Sequence, residues 1–275
     1  SFVVCGSAMR GVVVPKETVA GVKGVAGTGQ RNPMSLIRRL MIVVIAVASL
    51  PVTQSLAAED AMAPLPAAHA HNDYLHDRPL LDALDNGFCS VEADIFLVDG
   101  KLLVAHTRRE LSADHSLERL YLDPLRQRIR HNGDRVHRNG PVFTLMIDIK
   151  SDGVATYKAL HDVLRQYHEI FTRVENGTVH QKAVVAIVSG NRPQAMIAAH
   201  SPRYVGIDGR LPDLNSDQRT HLMPLISDNW RNYFQWRGEG KISEAERMKL
   251  QDIVQQAHSK KRRLRFWATP DTPAM

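Results

Sequence analysis

Cysteine is almost absent from this chain. Of 275 residues only Cys5 and Cys89 are cysteines, and Cys5 stands in an N-terminal stretch expected to be removed. An internal disulfide is thereby excluded from the remaining protein, whose core has to hold without staples. Apolar runs long enough to cross a bilayer are lacking too, since Leu40–Leu50 falls short of the roughly 20 residues required. No cysteine pair and no His-x₃-His spacing is present beside the acidic residues, which weighs against zinc. No glycine-rich phosphate loop follows the first candidate strand, which argues against an open dinucleotide-binding sheet. Internal repeats and low-complexity linkers are missing as well.

What precedes residue 58 has its own character. Arg38 and Arg39 come before the apolar run, and Ser55-Leu56-Ala57 supplies a small-residue cleavage site. This is the layout of a secretory signal peptide. Residues 34–57 are read as that signal, 1–33 as an upstream non-native or fragment extension, and 58–275 as the exported domain, periplasmic or secreted. The formal charge of +6 then shrinks. Six basic residues and one acidic residue lie in 1–57, which leaves about +1 for the rest. A nucleic-acid partner loses its support. The basic run at 259–265, SKKRRLR, follows a helical pattern and is read as a charged helix end. The Asn176-Gly177-Thr178 sequon is given no weight.

Beyond residue 58 the segments alternate. Short apolar runs at 67–71, 89–98, 142–150, 182–190, 204–210, 222–229 and 263–270 predict strands, and helical spacing appears at 153–171 and 244–258, the latter capped by Ser243. Such alternation favours a parallel sheet with helices outside it. Polar residues gather at the ends of the runs, where a (β/α) barrel builds its site. The expectation is an α/β fold, a TIM-type (β/α) barrel lacking its last strand in this chain and so C-terminally truncated.

Strand alternation sends Glu92 and Asp94 to one face and Val91, Ala93 and Ile95 to the other. The run VFTLMIDIK repeats the device, with Asp148 and Lys150 opposite Phe143, Leu145, Ile147 and Ile149. Three carboxylates from two strands suit one hard divalent cation, Mg²⁺ or Ca²⁺. His71 and His106 each close an apolar run, and two imidazoles flanking a cation-bound phosphodiester would make an acid–base pair. Histidines at strand ends also serve as ordinary structural residues.

The stretches HNDY, ALDNGFCSVEADIFLVDGKLLVAH and LMIDIK resemble the superfamily of glycerophosphodiester phosphodiesterases and phosphatidylinositol phospholipase C-like enzymes. They are most similar to its branch containing the altered-inheritance-of-mitochondria proteins. The resemblance runs over about 68–270 and implies a barrel phosphodiesterase with one divalent cation. By motif, His71 and His106 match the catalytic pair and Glu92, Asp94 and Asp148 the metal ligands. Lys150 matches a lysine beside the phosphate, with Asn72 next to His71 as a further substrate contact. LISDNW and RFWATP add Trp230 and Trp267 as substrate-cleft walls. The expected substrate is a small-molecule or lipid phosphodiester, glycerophosphodiester- or phospholipid-like, with peripheral membrane contact if it is a lipid. His71-Asn72-Asp73 departs from the His-Arg-Gly of glycerophosphodiesterases, which weighs against that head group. Two other readings stay open: an amidohydrolase or a polymerase-and-histidinol-phosphatase-type hydrolase binding metal through His69 and His71, and a non-catalytic binding barrel.

Overall fold

Valine and isoleucine, stiff at χ1 and suited to a pleated surface, dominate the short apolar runs and make them strands. A computed structural model describes residues 2–6 and 62–270, so the signal peptide expected at 34–57 lies outside the described residues. The strands are β1 (Phe2–Gly6), β2 (Ala68–Ala70), β3 (Ser90–Val98), β4 (Lys101–Val104), β5 (Phe143–Ile149), β6 (Arg173–Glu175), β7 (Thr178–His180), β8 (Val184–Gly190), β9 (Val205–Gly209), β10 (Leu225–Asn229) and β11 (Arg263–Trp267). The helices are α1 (Leu81–Asp85), α2 (Asp123–His131), α3 (Gly153–Gln166), α4 (Gln194–Ala199), α5 (Trp230–Tyr233) and α6 (Glu244–Ser259).

The main sheet runs β2-β1-β11-β10-β9-β8-β5-β3-β4, with a further pairing between β2 and β3. Seven parallel strands drawn from 68–267 form a curled half-barrel, to which β4 adds an antiparallel hairpin arm on β3. The expectation of a TIM-type (β/α) barrel lacking its last strand does not hold. The regular alternation of strand and helix breaks down: β9 and β10 are joined by a 3₁₀ turn and loop, and α1, α4 and α5 span one or two turns each. The strand beside β11 is β1, from the N-terminal end, which pairs in parallel with both β11 and β2. A period-two apolar pattern specifies a strand but not what connects it to the next.

Alternation places the core where the sequence puts it. Val91, Ala93 and Ile95 of β3 pack with Leu145, Ile147 and Ile149 of β5, and with Tyr157, Leu160 and Leu164 of α3. The Asp152 side chain caps α3 by accepting from Ala155 N at 2.8 Å, and Ser243 caps α6 by accepting from Glu246 N at 3.3 Å. A second cluster joins Ile226, Trp230, Phe234, Leu264 and Phe266 with Ile253 and Ala257 of α6. The sequence reading passed over Asn176-Gly177 as a turn. Both residues take positive φ, 49° and 80°, and close the β6–β7 hairpin.

Only the start of the basic run at 259–265, Ser259 to Lys261, is a charged helix end. α6 stops at Ser259, and Arg262 is buried with its guanidinium donating to the carbonyls of Asp213, Leu214, Ser216 and Gln218. Arg263 and Arg265 belong to β11, where the period-two rule turns both inward with Trp267 while Leu264 and Phe266 enter the second cluster. Arg263 reaches Thr144 Oγ1 at 2.8 Å, across the curl.

Candidate functional site

Register does most of the work of assembling the site. Asp94 lies opposite Asp148, and Asp148 opposite Ser189, so three adjacent parallel strands present polar groups at one level. Carboxylate oxygens of Glu92, Asp94 and Asp148 all fall within 4.8 Å of one another. Glu92 and Asp148 open into a cavity of about 290 Å³ lined also by His71, Asn72, His106, Lys150, Ser189, Arg210, Ser227, Arg265 and Trp267. Of the residues singled out in the sequence, Asp94 and His69 are buried and do not line this cavity, and Trp230 lies outside it as well. Trp230 is buried, stacked on Phe234 at 4.1 Å between ring centres, with its indole N–H donating to the Trp236 carbonyl. A larger cavity of about 790 Å³ sits at the strand starts, walled by Val142, Val185 and Val205. It has no carboxylate in its lining, so size does not mark the polar site here.

The electrostatics divide the three carboxylates. Burial alone would raise the Glu92 pKa, but the Arg265 guanidinium, 2.9 Å away, and His69 outweigh it and hold Glu92 below the usual range. Asp148 goes the other way. Burial pushes it up to about 6, with Asp94 and Glu92 adding repulsion that Lys150 only partly offsets. The Lys150 ammonium spans Asp94 and Asp148, 3.1 Å from an oxygen of each, and those two charges raise its pKa against the opposing effect of burial. Asp94 Oδ1 and Asp148 Oδ1 are buried without a hydrogen-bond partner among the described residues. Two orphaned carboxylate oxygens in an all-oxygen set fit a hard divalent cation. Among the described residues, no histidine belongs to that set.

The histidines are held differently. His71 Nε2 is 3.6 Å from Glu92 Oε2, and burial, the leading cause, lowers its pKa. His69 is fully buried, with Nδ1 2.7 Å from Ser90 Oγ and Nε2 3.3 Å from Glu92 Oε2. Burial and then the Arg265 charge bring its pKa down to about 3, so it stays neutral at ordinary pH. His106 Nδ1 lies 3.2 Å from Asp94 Oδ2 and 3.1 Å from the Tyr74 hydroxyl, which itself donates to Asp94 Oδ2 at 2.7 Å. Both partners accept from the ring, which assigns the proton to Nδ1 and leaves Nε2 for chemistry. The His106 side chain is 51% exposed, whereas Asp94 is fully buried.

Three supports escaped the sequence reading. Tyr74 ties Asp94 to His106, and its loop is anchored by buried Asp73, which accepts from Leu80 N and the Tyr121 hydroxyl. Arg265 was legible through alternation in RLRFW, had the basic run not been taken as a helix end. Gly190 has φ +66°, and a methyl group there would overlap Asp148 Oδ1. Gly190→Ala therefore forces the carboxylate aside as well as straining the backbone. A stability loss of about 1–3 kcal/mol in urea unfolding is expected, together with weakened binding of added Mg²⁺. A variant unchanged in both would show that the tight approach is dispensable.

The AIM6-like phosphodiesterase domain family matches residues 58–208. The chain belongs to that family. It is similar to the altered inheritance of mitochondria protein 6 homolog of Arthroderma benhamiae, 25% identical over 239 residues, 76% of this chain and 74% of the relative. The altered inheritance of mitochondria protein 6 of Eremothecium gossypii is 30% identical over 241 residues, 76% of this chain and 62% of the relative. That of Candida glabrata is 26% identical over 262 residues, 76% and 64% respectively. The chain thus spans less than two thirds of the last two proteins. No solved structure matches it. The family match takes in Glu92, Asp94, His106, Asp148 and Lys150 and ends before Arg210, Ser227 and Arg265.

Proposed function

We propose that the cavity hydrolyses a phosphodiester, glycerophosphodiester- or phospholipid-like, with one divalent cation, Mg²⁺ or Ca²⁺, held by Glu92, Asp94 and Asp148. The carrying observation is that Glu92 and Asp148 line one cavity with His71, His106 and Lys150, while the carboxylate of buried Asp94 lies within 4.8 Å of theirs. Membership of a phosphodiesterase family supports the reaction class. When bound, the cation would offset negative charge on the phosphoryl oxygens.

The chain's own groups supply the rest. Burial keeps His71 neutral, ready to take the proton of the attacking oxygen, which belongs to water or to a neighbouring substrate hydroxyl. A new P–O bond forms as the ester P–O bond breaks. The leaving alkoxide receives the Nε2 proton of a His106 ring that enters the step protonated on both nitrogens, while Asp94 accepts from Nδ1–H throughout. If the attacking oxygen is the substrate's own, the product is a cyclic phosphate, and water opens it with the two roles reversed. Lys150 places its ammonium against the phosphoryl group, and Asn72 and Trp267 line the approach. The rival zinc-type reading through His69 and His71 is disfavoured because both His69 nitrogens are occupied by Ser90 and Glu92.

The test is turnover of a panel of phosphodiesters at neutral pH by the purified protein, with Mg²⁺, Ca²⁺ or EDTA. Activity restored to the EDTA-treated protein by one equivalent of either cation is expected. A requirement for two zinc ions, or inactivity on every diester with either cation, counts against the proposal. Because Asp148 has to ionise to take a cation and its pKa is about 6, protons compete below that value. Half-saturating Mg²⁺ should rise as pH falls through 6 and level off above it.

A further inference from the structure

The larger cavity, of about 790 Å³, shares no lining residue with the carboxylate site and sits at the opposite ends of β8 and β9. On β8 it takes Val185 and Ala186, whereas Ser189 lines the other cavity. Val142, Val179, Val205 and Pro224 extend its apolar wall. Protein interiors pack without voids much larger than a water molecule. A volume of about 300–1,000 Å³ with such a lining is that of a small-molecule pocket. A buried cation stands in this wall. Arg203 is 4% exposed, and its backbone N–H and C=O are each bonded at 2.8 Å to Val174 of β6. Its Nη1 donates to the carbonyls of Val205 and His221, and its Nη2 donates to His221 Nδ1 at 2.8 Å. These bonds use at most three of the five guanidinium N–H donors. Arg203 has no ion pair among the described residues, and no carboxylate lines the cavity. Arg219, which is exposed, adds a second positive charge to the lining.

Burial lowers the Arg203 pKa, since a cation without a counter-charge is costly among apolar groups. A carboxylate offsets that cost and meets the planar fork with two oxygens. An aliphatic tail covers the valines. One buried guanidinium balances a monoanion, which favours a carboxylate over a phosphate dianion. We propose that this cavity binds an aliphatic carboxylate of medium or long chain, with its head group on Arg203 and its tail against Val142, Val179 and Val185. The site is separate from the carboxylate cavity and does not depend on the phosphodiesterase reading.

Calorimetric titration of the full chain tests it, with octanoate, decanoate, 1-octanol and acetate as probes. Octanoate is expected to bind at least about tenfold more tightly than octanol, the scale of a hydrogen bond to a charged group. Decanoate should gain about tenfold over octanoate, at about fourfold for each methylene buried, and acetate should give no binding heat. EDTA should change none of these values, because no carboxylate lines the cavity to hold a cation. Arg203→Met should bring octanoate to within about threefold of octanol. Because that change strips a donor from two carbonyls, Val179→Asp serves as a second variant, at an exposed residue outside the buried clusters. It should weaken decanoate by about tenfold or more at an unchanged thermal midpoint. Equal affinity of octanoate and octanol for the wild type overturns the proposal. So does decanoate binding that EDTA abolishes or that survives both variants. A full chain that binds no decanoate, as when its own residues fill the cavity, overturns it too.

Discussion

His106→Ala and His71→Ala are each expected to lower phosphodiester turnover by about 10²–10⁴-fold, the range that positioned acid–base groups contribute. The reasons differ between the two. His106 is more than half exposed and contacts the protein through Nδ1, at Asp94 and Tyr74. Its loss leaves no buried group unpaired apart from what water can reach, so the fold should be intact. His71 is more enclosed and sits against Glu92. Its removal empties one side of the cavity without exposing the core, since none of the buried apolar clusters includes it. Rates measured on variants with unchanged circular dichroism and thermal midpoint decide the matter. Wild-type turnover in either protein would remove that histidine from the mechanism.

Arg265→Met should be among the most destabilising single substitutions in the site. Glu92 and Arg265 are both almost fully buried, at 5% and 3% side-chain exposure. Methionine replaces the bulk of the arginine but leaves Glu92 without its strongest counter-charge. Breaking one side of such a pair costs about 3–5 kcal/mol, because the remaining charge stays buried and uncompensated. Urea unfolding of the EDTA-treated protein at pH 7 measures it, and adding Glu92→Gln should return part of the loss. The pH dependence carries a sign as well. In the wild type the Glu92 pKa is held below its ordinary 4.5, so its contribution is full above that value and fades as pH falls toward the lowered one. In Arg265→Met burial dominates and the Glu92 pKa rises, so the variant recovers stability on acidification from neutral pH. A variant that matches the wild type at pH 7 would mean that Glu92 is neutralised by other groups.

Much of the site was legible in one dimension because strand geometry is simple. Side chains alternate, so EAD in β3 and DIK at the end of β5 and just past it announce their inward carboxylates and lysine, and the apolar partners between them announce the core. The same rule applied to RLRFW turns Arg265 to the same face as Arg263 and Trp267. His71 and His106 were visible as residues that end apolar runs. Sequence alone thus determined which residue types stand at the strand ends, which face each takes, and that carboxylates and imidazoles rather than a thiol gather there.

The tertiary structure decided what depends on register and neighbours. Asp94 meets Asp148 because β3 and β5 pair in one register, and a slip of one residue would send one of them to the core. Trp230 went to an aromatic cluster and Trp267 to the cavity, although both stand at the end of a strand. Glu92 and Asp148 have the same charge and opposite pKa shifts, since at Glu92 the Arg265 guanidinium outweighs burial, while at Asp148 burial prevails over what Lys150 offsets. The connections between strands, and with them the departure from a regular barrel, also lie beyond the reach of local pattern. A period fixes which way a side chain points along its own strand, while distances between strands are set by hydrogen-bond pairing between segments far apart in the chain.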